Sequence, residues 1–437
     1  MIRSVSLLTV FFLLIFSCKN ERKTIEWDEF SQQFQQDFKK LSIAPLAMSY
    51  IENIKSIKSN DSIQYQESFF KYTEASLKKI KPELLTKSQW LDYELIKYET
   101  RLNLERINLE KEWKDLKIDS VSTKGIYNIP NGKEWYAYFL KKWVDEEVNP
   151  DAIYQFGLKE IERVKSKIKD IQISSGMDSI SFQKHINQPS FFYNDEIDIQ
   201  EAFEMKQYKI DVALNKHFPF LEKIPKVTIA RIPDENLVNA PAFYTPKERT
   251  FYYNYRGSPY NKRQISWVYI HEAIPGHHYQ LMLDKVLPRS SIQRMFEYYG
   301  FLEGYAAYIE EIGFEINAYE DIYEELGKWE WDIIRSVRIV LDVGINYYGW
   351  DDYKAMNFWR QHIQNKDDIA LREIARIKRW PAQVITYKYG ADKLIRWKKK
   401  YLAENDTFGL KDFHKLLLEN GSLPLSIINK TLNNKPK

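Results

Sequence analysis

The feature that most constrains this chain is a proline-glycine pair set at the end of a helical pattern, in Ile270-His271-Glu272-Ala273-Ile274-Pro275-Gly276-His277-His278. Trp267, Ile270, His271 and Ile274 follow the i, i+3, i+4, i+7 spacing of one buried helical face, so the segment enters as a helix with His271 pointing inward. Pro275 lacks a backbone donor and its ring clashes with the carbonyl four residues earlier, that of His271. Gly276 tolerates dihedrals that other residues avoid. A straight helix is excluded, and the expectation is a helix bent or bulged at Pro275-Gly276.

The bend matters because three of the seven histidines fall inside these few residues, with a glutamate directly after the first. In the common zinc-helix signature H-E-x-x-H, two histidines one turn apart face one ion and the glutamate handles the water. Here the i+4 position is Pro275, which cannot ligate. On an ideal helix His277 lies about 240° around the axis from His271, while His278 faces the right way but sits about 10 Å along it. A bend that swings His277 back makes it the expected partner of His271, with His278 as the alternative.

A third ligand is sought on the next helix, expected from about Ser291 to Ile316 with the apolar stripe Tyr298, Leu302, Tyr305, Ile309 and Ile312. Glu303 sits beside that stripe with Ala306 and Ala307 on its own side. A carboxylate on an inward face needs a partner, and a cation supplies one. His271, His277 and Glu303 would leave a fourth position open, the arrangement of a catalytic rather than a structural zinc, with one Zn2+ per chain. Glu272 is then the expected base.

An apolar share of 44% with 15% aromatics gives ample material for a large core. Helical spacing recurs from Trp27 to Leu41, Ser62 to Ile80, Ser88 to Trp113, Asn149 to about Ile171 and Ile199 to Lys216. The texture then changes. Val227 to Ile232, Ala242-Phe243-Tyr244 and Thr250 to Tyr255 are short, β-branched and aromatic.

The fold class expected is mainly α, with a small antiparallel sheet beside the metal helix. An edge strand there could pair with an extended peptide, making Tyr244 and Asn254 candidate substrate contacts. A helical part over 26–225 and a sheet-plus-metal part over 226–437 are expected to form one continuous fold. Arg335, Arg338 and Asp342 lie inside an apolar helix, where buried ionisable groups either orient ligands or substrate at a site or close an internal salt bridge, and the sequence does not choose between the two. The net charge of +3, from 64 basic and 61 acidic residues well mixed, argues against a nucleic-acid partner.

The amino terminus carries an address. Arg3 precedes an apolar run from Leu7 to Phe16, too short for the roughly 20 residues of a spanning helix, so 1–17 reads as a signal peptide. It ends at Cys18, the sole cysteine, in a stretch that resembles a bacterial lipoprotein processing site. The expectation is a lipidated tether over 18–25, a bilayer partner through acylated Cys18, and display at the bacterial cell envelope.

Two motifs carry a wider resemblance: His271-Glu272-Ala273-Ile274-Pro275-Gly276-His277-His278-Tyr279-Gln280 and Glu303-Gly304-Tyr305-Ala306-Ala307-Tyr308. With Asp342-Val343-Gly344, Gly349-Trp350, Arg376, Pro381 with Gln383, Tyr387-Lys388 and Gly390, the chain resembles the bacterial domain-of-unknown-function 885 family over most of its length. Tyr305, Ile377 and Asn346 stand where Trp, Tyr and His are usual in that pattern. The family is similar to helical gluzincin-type zinc metallopeptidases, a zincin-like fold with two histidines and a distant glutamate as ligands. The resemblance implies peptidase chemistry, with Tyr387 as the oxyanion donor and Arg376 as a substrate contact; a phenol can donate without carrying charge.

The expected function is a membrane-anchored zinc peptidase that hydrolyses peptide bonds through a metal-activated water. The alternatives are a non-catalytic metal- or peptide-binding lipoprotein, and a metal-dependent hydrolase of another amide or ester.

Overall fold

Side-chain caps set many of the helix boundaries. A computed structural model describes residues 27–433 except 117, 119, 234–240, 405 and 406. The expected signal peptide, Cys18 and the tether lie outside the described residues. The helices, numbered in chain order, are α1 (27–40), α2 (Tyr50–Lys55), α3 (Asn60–Leu77), α4 (Lys87–Asp115), α5 (Gly132–Trp143), α6 (Pro150–Ser174), α7 (Ser179–Ile186), α8 (Glu196–Leu214) and α9 (Ile265–Glu272). They continue with α10 (His277–Val286), α11 (Tyr299–Glu311), α12 (Ile322–Asn346), α13 (Asp352–His362), α14 (Asp367–Arg379), α15 (Thr386–Ala403), α16 (Leu410–Leu418) and α17 (Leu425–Asn433).

Thr86 and Gln89 form a reciprocal capping box at α4, and Asn149 with Pro150 opens α6. Asp195 and Asp321 accept the first free amides of α8 and α12. The protein is mainly helical, and none of the described helices is long and apolar enough to cross a membrane.

The described residues fall into two compact units. The first contains α1, α3, α4 and the excursion Ser290–Phe296, packed around Leu41, Ile63, Phe70 and Ile107. That excursion explains why α11 begins at Tyr299 and not at Ser291. Ser290 Oγ donates to Asp92 at 2.5 Å and the Phe296 ring packs edge-on against Phe38, contacts that hold the segment out of helix.

The second unit holds the histidine motif and the elements from α5 onward, apart from that excursion. Within it α12 lies along α6 and α11 along α15. Gly300, Gly304 and Gly390 make the second pairing close: a Cβ on Gly304 would stand 2.6 Å from the Gly390 Cα, and one on Gly390 2.2 Å from the Gly300 carbonyl oxygen. α6, α11, α12 and α15 are also tied by buried charges. Lys388 Nζ lies 2.6 Å from both Asp332 and Glu160, and Lys328 Nζ 2.6 Å from Glu311.

The strands are β1 (Phe192–Tyr193), β2 (Thr228–Arg231), β3 (Ala242–Thr245), β4 (Thr250–Tyr253) and β5 (Tyr260–Asn261). β1 pairs with β5, and the other three order as β2-β4-β3. This corrects the expectation of a wholly antiparallel sheet, because β2 and β4 are parallel. β3 and β4 form a hairpin through Pro246–Arg249, which leaves the far side of β4 for β2 and leaves β3 at the edge, against α9.

Candidate metal centre

α9 is buried on every side from Ile265 to His271, so His271 is delivered to the interior by a helix that has no solvent face. The expected bend is in fact a break. α9 stops at Glu272, the Ile274–Pro275 peptide is cis, and a separate helix starts at His277 with Gly276 as its cap. Gly276 is required there, since a Cβ would fall 2.0 Å from the His271 carbonyl oxygen and 2.3 Å from that of Ile270. The chain turns back against the end of α9, and His277 comes round to His271, their rings 4.9 Å apart and nearly perpendicular.

Glu303, on α11, completes the group. Its Oε2 lies 3.4 Å from His277 Nε2 and 3.9 Å from His271 Nε2, and one ligand atom from each of the three residues lies within 4.8 Å of the others. Ligands at about 2.0 Å from a tetrahedral zinc stand about 3.3 Å apart, so small adjustments let all three share one ion. Burial opposes charge on Glu303, but the His277 hydrogen bond and the two imidazoles outweigh it and hold the carboxyl down at about 2. Burial also pushes the neighbouring Glu272 carboxyl up, against the pull of His271 and His277.

Glu310 is the residue that sequence reasoning missed. Its carboxylate, 1% exposed, accepts from His271 Nδ1 at 2.6 Å and from Arg335 at 2.7 Å. Nδ1 is therefore the protonated nitrogen and Nε2 keeps its lone pair for the site. The available signal was position: Glu310 lies two turns beyond Glu303 on the same helix. Arg335 forms a buried ion pair with Glu310, the internal salt bridge that was the other reading of this residue, and so stands behind His271.

His278 is not brought to the centre. Its Nε2 faces the Pro225 carbonyl at 2.7 Å and so carries the proton, while Nδ1 accepts from the Tyr244 hydroxyl at 2.9 Å. Burial lowers its pKa, consistent with a neutral ring that fastens α10 to β3.

A cleft of about 290 Å³ opens on the centre, walled by Pro241, Ala242, Phe243 and Tyr244 of the edge strand region, by Trp267 and Trp331, and by Arg335, Arg338, Arg376 and Tyr387. The two indoles stack at 5.8 Å, a wall the sequence did not reveal. Tyr387 enters from α15 three residues before Gly390, so the glycine contact between α11 and α15 brings its phenol toward Glu303. Arg376 Nη2 donates to the Tyr387 oxygen at 3.3 Å and to Gln383 at 2.7 Å. Burial and the Glu303 charge raise the Tyr387 pKa, so the phenol keeps its proton and can donate it.

Two expected residues lie elsewhere. Asn254 does not line this cleft; its Oδ1 accepts from Arg256 and its backbone N–H donates to the Pro241 carbonyl. Asp342 accepts from Tyr136 at 2.8 Å and from the Ala382 amide at 3.0 Å, holding Ala382 at φ 72° just before α15. It fixes the approach to α15 instead of meeting a ligand.

The sequence matches a family of bacterial proteins of unknown function, DUF885, over residues 28–432. The chain belongs to that family. No curated protein matches it. Its fold is shared with a solved structure titled "putative lipoprotein" from Colwellia psychrerythraea, at 23% identity and a TM-score of 0.65, over 85% of this chain and 68% of that one. A "putative lipoprotein of unknown function" from Shewanella oneidensis aligns at 16% identity and a TM-score of 0.69, over 92% and 99%. In this DUF885 chain the departures from the expected pattern fall outside the cleft lining. Asn346 bonds the backbone at Ile126 and Ile377, and both Ile377 and Tyr305 are fully buried.

Proposed function

We propose that this DUF885 protein is a zinc-dependent peptidase. The observation that carries the reading is the convergence of His271, His277 and Glu303, ligand atoms within 4.8 Å of one another, beside an acid at position 272 and an open cleft. The donor set suits the metal: two nitrogens and one oxygen, with the His271 tautomer fixed by Glu310. Bound there, zinc would polarise a carbonyl and bring the pKa of a water from 15.7 toward about 7.

The chain's own groups then have defined tasks. Glu272 takes the proton of the attacking water, whose oxygen bonds to the peptide carbon, and delivers that proton to the departing amine as the C–N bond breaks. Its raised pKa favours a carboxyl that can do both. Tyr387 donates to the oxygen that gains charge, with Arg376 holding the phenol in place. Among the described residues no strand pairs with the outer side of β3, so that edge would offer backbone groups to an extended substrate. Lipid attachment at Cys18 belongs to the same proposal, supported by the resemblance of its surroundings to a processing site and by two structural neighbours described as lipoproteins.

The test is Glu272→Gln, assayed for zinc by elemental analysis and for cleavage of a mixed peptide library beside wild type. Zinc retained with cleavage lost is the expected result. Undiminished cleavage by the variant overturns the mechanism, and wild type that holds zinc and leaves every peptide intact overturns the peptidase reading.

A further inference from the structure

Three arginines line the cleft, and they are not equally occupied. Arg335 has an evident task, since its Nη1 lies 2.7 Å from both oxygens of Glu310 and so serves His271. Arg376 spends Nη2 on two neutral acceptors, Gln383 and Tyr387.

Arg335 also has a buried Nε without a partner, but its charge is matched at 2.7 Å by both oxygens of a fully buried carboxylate; Arg338 is held less closely. It is 2% exposed on α12, and its one hydrogen bond among the described residues runs from Nη1 to Glu373 at 3.2 Å. Its Nε is buried without a partner, and no acceptor meets Nη2 among the described residues. Glu373, on α14 with Arg376, is then the one carboxylate paired with Arg338 beside a second guanidinium. A buried cation with most of its donors idle is costly unless something completes it. A planar carboxylate is the group whose geometry fits a guanidinium fork.

Position narrows the source of that carboxylate. The Arg338 Cζ lies 5.4 Å from the centroid of the Tyr387 ring, and the His271 ring stacks 6.4 Å from the same phenol. The idle arginine and the metal ligands are thus a single side chain apart. A peptide advances about 3.3–3.6 Å per residue, so a carboxylate on Arg338 would belong to a residue very near the bond being cut.

We propose that Arg338, with Arg376 beside it, binds the C-terminal carboxylate of a peptide substrate, so that the protein releases short fragments from peptide C-termini. This rests on the peptidase reading and adds a substrate class to it.

The experiment separates the two. Zinc-loaded Glu272→Gln protein, full chain, is titrated calorimetrically with N-acetylated pentaalanine as the free acid and as the C-terminal amide. The acid is expected to bind about ten- to a hundredfold tighter, the range for a hydrogen bond to a charged group. Adding Arg338→Gln should erase that difference, and Arg338→Lys should restore part of it. Equal binding of acid and amide, or binding of neither, overturns the carboxylate site. Because the acid-amide comparison needs no change at Arg338, it decides the matter even where the arginine variants fail to fold.

Turnover of the same pair by wild type completes the separation. Cleavage of both at equal rates removes the carboxylate site and keeps the peptidase. Tighter binding of the acid with no cleavage of either keeps the site and removes the peptidase.

Discussion

His271 and Glu310 lie on different helices, and the 2.6 Å hydrogen bond between Nδ1 of the first and Oε1 of the second fixes which imidazole nitrogen faces the centre. Arg335 in turn grips the same carboxylate through Nη1. Glu310→Gln should therefore weaken zinc binding about 10- to 100-fold while leaving His271, His277 and Glu303 in place. Competition with a chromophoric chelator measures it, and unchanged affinity would show that Glu310 does not orient the ligand.

His277 and His278 are adjacent in sequence and opposite in role. His277→Ala should abolish stoichiometric zinc in elemental analysis. His278→Ala should leave zinc stoichiometry intact and cost about 1–3 kcal/mol of stability, because the half-buried Tyr244 hydroxyl and Pro225 carbonyl lose their partner. Loss of zinc in the second variant would exchange the two assignments.

Gly390 is where α15 comes nearest to α11. Gly390→Ala places a methyl 2.2 Å from the Gly300 carbonyl oxygen and 2.5 Å from the Gly304 Cα, so the helices must separate. Overpacking of this kind costs about 1–3 kcal/mol, read as a lower urea midpoint. Peptide turnover should fall with it, since Tyr387 rides on the same helix. A midpoint equal to that of wild type would contradict the close crossing.

Acid should act on the fold through His414. Its ring is fully buried, with Nδ1 donating to the His217 carbonyl at 2.6 Å and Nε2 accepting from Tyr308 at 2.8 Å. Burial drives its pKa down to about 3, against 6.5 ordinarily. Above pH 6.5 both folded and unfolded rings are neutral and the contribution is whole. Below that value the unfolded chain takes up a proton the folded chain refuses, so stability is lost progressively toward pH 3, by roughly 5 kcal/mol if the whole interval counts. Denaturant midpoints from pH 7 to 4 should fall less steeply for His414→Gln than for wild type; parallel slopes would exclude this cause.

Much of the centre could be read from spacing along single elements. The i, i+3, i+4, i+7 pattern through Trp267 and His271 gives the buried face of α9, and Glu303 stands out as a carboxylate beside an apolar stripe. Capping residues such as Thr86, Asn149 and Asp321 mark helix starts in the same local way. Asn254 misled because alternation along a strand says which face a residue takes and nothing about which loop that face meets. The start of α11 misled because Ser290–Phe296 packs with α1 and α4, contacts remote in sequence.

The sequence by itself determined a helical protein with a histidine pair interrupted by Pro275-Gly276 and a glutamate on the following helix. Only the tertiary structure decided that His277 and not His278 turns inward, that Glu310 and Arg335 support His271, and that Arg338 is left with idle donors in the cleft wall. The reason is physical. Periodicity fixes directions within an element, whereas the angle between elements is set by how closely backbones can approach. Here that is governed by Gly276 against the end of α9 and by Gly304 against Gly390.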